Sequence, residues 1–105
     1  MNLKSHKSEM EDLTTVFKFE HYNHKSRNYE TVMLSPEDVV SIRLDYETIS
    51  VKTKDGSTYS RGTSSSSRDY EGQEKEMEYV RKDFEKAKLG RQIELYIERK
   101  IAQLR

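Results

Sequence analysis

Two arginines, Arg61 and Arg68, bracket five hydroxyl-bearing residues from Thr63 to Ser67, and Tyr59 and Tyr70 stand just outside them. Guanidinium forks, hydroxyls and the free N–H groups of a helix start are groups that hold phosphate. Tyrosine rings present a flat face on which a base can stack. Tyr59, Arg61, Ser65, Ser66, Arg68 and Tyr70 therefore form a candidate site for a nucleotide-like small molecule. Two features oppose it. Asp69 and Glu71 put negative charge at the same helix start, and the run lacks the G-x-x-x-x-G-K-[ST] spacing of a phosphate loop. A flexible Ser-rich linker is the plain reading of the same residues.

His21 and His24 form an H-x-x-H beside Glu20 and Tyr22. Imidazoles near a carboxylate are zinc ligands, but these lie at a strand end and turn, where a spacing of three guarantees no shared face. No third ligand stands close in the chain, since His6 belongs to a polar arm. No metal site is expected, and the histidines read as surface residues. The chain has no G-x-S-x-G, no H-E-x-x-H and no dinucleotide-binding glycine fingerprint. The expectation is a non-enzymatic protein without a cofactor.

The C-terminal third carries the clearest pattern. From Arg68 onward there is no proline, and Glu, Lys and Arg surround regularly spaced apolar residues, which predicts helix. Met77, Val80, Phe84 and Ala87 share one face. Ile93, Ile97, Ile101 and Leu104 share another, joined by Tyr96. At roughly 100° per residue these stripes point in nearly opposite directions on a straight helix. Either Gly90 ends or kinks the helix, or one helix buries two faces against two different things. Both alternatives imply self-association or a protein partner, with Ile93, Tyr96, Ile97, Ile101 and Leu104 as the interface. Residues 69–85 hold seven acids and three bases, and residues 86–105 hold six bases and two acids. That order suits the dipole of one continuous helix, with Glu71/Lys75 and Glu78/Lys82 as (i, i+4) pairs.

These groups are positioned by a short-stranded first half. Thr14–Tyr22 and Tyr29–Leu34 read as a hairpin around the polar turn from Asn23 to Asn28. Ser35-Pro36-Glu37-Asp38 is a helix-start signal followed at once by β-branched residues, so it predicts a single turn. Val40, Ile42 and Leu44 alternate with polar residues, as do Ile49 and Val51, and Asp55-Gly56 predicts a two-residue hairpin turn. The fold expected is α+β: a mobile N-terminal arm over 1–12, an antiparallel meander of about five short strands across 13–62, a linker over 63–69, and a helical region over 70–105, kinked or broken near Gly90. All belong to one domain.

The stretch from Glu37 to Gly62, EDVVSIRLDYETISVKTKDGSTYSRG, resembles the strand–turn–strand core of LytTR DNA-binding domains. In those an isoleucine-containing strand is followed by a Lys-Asp-Gly hairpin. The basic segment they set on DNA has no recognisable counterpart downstream, where a charged helix stands, so no functional residue is carried across.

At 105 residues, Leu, Ile, Val and Phe total 21, which predicts a thin core that a second copy would enlarge. Nineteen bases balance nineteen acids, so no net charge draws the chain toward nucleic acid or an acidic membrane. The absence of cysteine excludes disulfides and thiol chemistry and fits the cytoplasm. No apolar run approaches a membrane span, and the N-terminus shows no secretory signal. The leading expectation is a self-associating protein-interaction module, a homodimer or higher oligomer that binds a protein. Its size, charge and lack of catalytic motifs suit a phage or mobile-element accessory protein that blocks a host factor. The second is an oligomer that sequesters a nucleotide-like ligand at the Ser-rich linker. Nucleic-acid binding through Lys86, Lys88, Arg91, Arg99 and Lys100 is the third, disfavoured by the acidic first half of the helix.

Overall fold

The computed structural model describes residues 14–64 and 68–104. The N-terminal arm, Leu13, Ser65, Ser66, Ser67 and Arg105 lie outside the described residues. Five antiparallel strands precede one long helix: β1 (Phe17–Asn23), β2 (Asn28–Leu34), β3 (Val39–Asp45), β4 (Thr48–Thr53), β5 (Thr58–Gly62) and α1 (Tyr70–Gln103). This is the α+β fold the alternation and helical spacing predict. The strands form two hydrogen-bonded sheets, β1–β2 and β3–β4–β5. The division falls at a 3₁₀ turn, Pro36–Asp38, whose buried proline has no N–H to give a ladder.

Turn chemistry sets each register. In the first hairpin Asn23 Oδ1 accepts from Lys25 N at 2.9 Å, and Arg27 closes the loop at φ 57°. This places Phe17 opposite Leu34, Phe19 opposite Val32 and Tyr22 opposite Tyr29. Between β3 and β4, Tyr46 takes a positive φ of 55°. The last hairpin corrects the two-residue turn. Its loop is Lys54 to Gly56, with Gly56 N bonded to Thr53 O at 3.1 Å and only Gly56, at φ 88°, in the left-handed region. Asp55 instead accepts from Ser57 N at 2.9 Å and from the Thr53 hydroxyl, which favours this three-residue loop over a turn needing two positive φ values.

The inner face of the strands meets α1. Phe17, Phe19, Ile49 and Val51 are at most 1% exposed, and they pack with Met77, Val80 and Ala87 of the helix. Burying each such large side chain contributes about 1.5–3 kcal/mol. Phe84 stands edge-on to Phe17 at 5.5 Å. β1 also runs alongside β5: the His21 and Tyr59 rings stand edge to face at 5.1 Å, and Arg61 Nη1 donates to the Glu20 carbonyl at 2.9 Å.

Helix α1 is a single 34-residue element that passes through Gly90. Gly90 is buried and outside the left-handed region, so it is neither a C-cap nor a helix end. A mid-helix glycine costs about 1 kcal/mol relative to alanine. Strong helix formers on both sides offset that, and no capping residue follows to start a second helix. Asp69 caps the N-terminus by accepting from Gly72 N at 3.0 Å. Ser35, in contrast, makes no side-chain cap; its carbonyl accepts from Asp38 N instead. The ion pairs found among the described residues join Arg61 to Glu76 and Arg91 to Glu37 and Glu94.

Candidate functional site

The second apolar stripe of α1 is exposed and has no packing partner among the described residues. Met77, Val80, Phe84 and Ala87 turn toward the strands. Ile93, Ile97, Ile101 and Leu104 are rotated from that direction by roughly 125°. From Leu95 to Leu104 every position is exposed. Ile97 is 48% exposed, Ile101 50% and Leu104 87%, with Ile93, Tyr96 and Leu89 exposed beside them. A 34-residue helix is about 51 Å long, and the whole molecule extends 54 Å along its longest axis. Its radius of gyration is 16.9 Å, against about 13 Å for a compact chain of this length. The helix end therefore stands out from the body. The predicted interface residues all lie on this projecting segment.

Arg91 marks where the helix leaves the body. Its Nε lies 3.2 Å from Glu37 Oε1 beside the 3₁₀ turn, and its Nη1 meets Glu94 one turn onward. The hydrogen bond to Glu37 chiefly raises the Arg91 pKa. Glu37 is lowered, first by its own backbone N–H and then by Arg91. Arg91 is thus committed to this junction, whereas Lys86, Lys88, Arg99 and Lys100 are exposed.

Of the residues proposed for a nucleotide-like ligand, Tyr59 and Arg61 are engaged on the inner face of the strands and Arg68 and Tyr70 are exposed. Tyr59 is half-buried on the inner face against His21. Arg61 lies on the same face, with its guanidinium carbon 5.0 Å from the Phe19 ring centroid and its Nε 3.7 Å from Glu76 Oε1. Glu76 in turn accepts from Ser64 N at 3.0 Å and Ser64 Oγ at 3.1 Å. Arg61 and Glu76 clamp the start of the linker, β1 and α1 together. Arg68 and Tyr70 are exposed at the helix start, and Ser65 and Ser66 lie outside the described residues. Sequence reading missed Glu76, which looks like one more acid on an exposed helix; only the fold shows that it faces Arg61.

His21 and His24 fall on different faces. His21 turns inward to Tyr59, while His24 stacks edge-on to Tyr22 at 4.9 Å on the outer side. Among the described residues, no three His, Cys, Asp or Glu side chains gather as metal ligands. No helix among them is long and apolar enough to cross a membrane.

In comparisons with known proteins, no family model, curated protein or solved structure matches this chain.

Proposed function

We propose that this chain is a non-enzymatic protein-interaction module that self-associates through the projecting end of α1. The observation that carries the proposal is the exposed stripe of Ile93, Tyr96, Ile97, Ile101 and Leu104, turned away from the chain's own core. With Leu89 these side chains expose on the order of 600 Å², close to the ~800 Å² per partner of a standard interface. A second copy offers the same stripe, and pairing two stripes is the ridge-and-groove contact that helices favour. The thin core gives such pairing a stabilising role. A self-associated helix end would present the two β bodies at either side, a geometry suited to docking a protein target such as a host factor.

Ile97→Asp tests the proposal. Ile97 touches no core residue, so the variant keeps its circular dichroism spectrum and unfolds cooperatively, while its sedimentation coefficient falls to that of a monomer. A variant that sediments like the parent chain removes this stripe from the interface.

A further inference from the structure

The face of the sheets opposite α1 combines aromatic rings, hydroxyls and cations in one track. At one end Tyr22 stacks edge-on to Tyr29 at 5.3 Å and to His24 at 4.9 Å. The cluster is not part of the core, and Tyr29 is 58% exposed. It lines a cleft with Thr48 and Ser60 of the neighbouring sheet. The strand register extends that line. Ser60 pairs with Ser50, and Ser50 pairs with Arg43. In the next row Thr58 pairs with Lys52, which pairs with Ser41. Arg43, Ser50, Lys52 and Thr58 share a second cleft on the same face. The outward direction of these side chains follows from burial of the alternate residues Ile49, Val51 and Thr53.

The hydrogen-bonded strands β5, β4 and β3 alone cover two strand spacings, about 10 Å, and β1 lies alongside β5 beyond them. A cluster of aromatic rings set edge to face, with the exposed Tyr29 among them, therefore lies at one end of the track, a guanidinium and an ammonium at the other, and hydroxyl donors between. Aromatic side chains that accept base faces, with cations tracking the backbone, are how sheet surfaces hold single strands. Glu20 and Asp45 share the outer face at the stacking end, Glu20 two residues from Tyr22 on β1 and Asp45 paired with Thr48, so the cations Arg43 and Lys52 mark the other end. The helix's acidic half lies on the other side of the strands.

We propose that this outer face binds single-stranded nucleic acid, with a base stacked on the Tyr22–Tyr29–His24 cluster and backbone phosphates on Arg43 and Lys52. The span exceeds what one mononucleotide covers, so the ligand is a strand. The site is separate from the helix stripe and does not depend on self-association.

Fluorescence anisotropy of the full chain with a labelled single-stranded oligonucleotide of about 12 nucleotides, at about 50 mM and 200 mM salt, tests it. Binding is expected and weakens as salt rises. Tyr22→Ala weakens it about tenfold, and Tyr22→Phe, which keeps the ring, restores it. Arg43→Ala lowers the slope of log affinity against log salt by about one. Tyr29→Ala serves as a second platform variant should Tyr22→Ala fold poorly. The proposal is overturned by absence of binding at the lower salt, or by binding that survives the tyrosine and Arg43 variants but is lost in Lys100→Ala. Competition by AMP at the oligonucleotide's own affinity would also overturn it.

Discussion

Replacing Arg61 with methionine removes its charge while keeping most of its stem over Phe19. Arg61 makes three contacts: a hydrogen bond to the Glu20 carbonyl at 2.9 Å, a stack on Phe19 at 5.0 Å and an ion pair with Glu76 at 3.7 Å. A hydrogen bond from a charged donor contributes about 1.5–3 kcal/mol, toward the lower end here because the Glu20 side of the bond is solvent-exposed. A cation over a ring adds about 0.5–1 kcal/mol, and a partly solvated ion pair about 0.5 kcal/mol. These do not add fully, because one guanidinium makes all three and its side chain keeps 17% of its surface in water. The expected loss is about 2–3 kcal/mol. For a domain of this size that lowers the Tm by roughly 10–15 °C. Thermal unfolding followed by far-UV circular dichroism reads it directly. A double-mutant cycle with Glu76→Gln should return a coupling of about 0.5–1 kcal/mol. If Arg61→Met melts within about 2 °C of the parent, the guanidinium is not a clamp between β1, β5 and α1.

Three smaller perturbations follow from local geometry. Asp69→Ala removes the cap on Gly72 N and should cost about 1 kcal/mol in urea unfolding, with Asp69→Asn largely retaining the stability. Gly56→Ala meets nothing within 4 Å, so its cost comes from the backbone at φ 88° alone, about 1–2 kcal/mol by the same measurement. Acid should weaken the hairpins. Asn23 and then Ser26 hold the Glu30 carboxyl below 4.5, and Thr53 and then Ser57 hold that of Asp55 below 3.8. Each depressed value stabilises the fold above the ordinary carboxylate pKa, and that stability is lost as pH falls through the folded value. Urea midpoints should therefore drop below about pH 4.5, and Asp55→Asn should flatten part of the drop.

The strands and the helix were legible because their signals are local. Phe17/Phe19 and Ile49/Val51 alternate at the strand period, and Met77 to Ala87 repeat at the helical one. The rotation between the two helical stripes was legible too, and with it the candidate interface. Gly90 was ambiguous: a glycine after lysines matches a helix end, and only the absence of a following cap argued otherwise. The clamp was not legible, because Arg61 and Glu76 lie on different elements and meet only once the helix is laid on the sheet. The same holds for the outer face. Tyr22 and Tyr29 flank a turn and pair across one hairpin, but their proximity to Ser60 depends on β1 lying beside β5, where no hydrogen-bonded ladder and no turn set the register. The Ser-rich run differs, since its serines 65–67 lie outside the described residues. Adjacency in sequence suggested a site, while the fold turns Arg61 inward and leaves Arg68 and Tyr70 outside.

The mass of the wild-type chain in solution tests the central claim most directly. Sedimentation equilibrium over a range of concentrations should give a dimer or higher multiple of 12.5 kDa that dissociates on dilution. A particle of 12.5 kDa at every concentration would contradict self-association through α1.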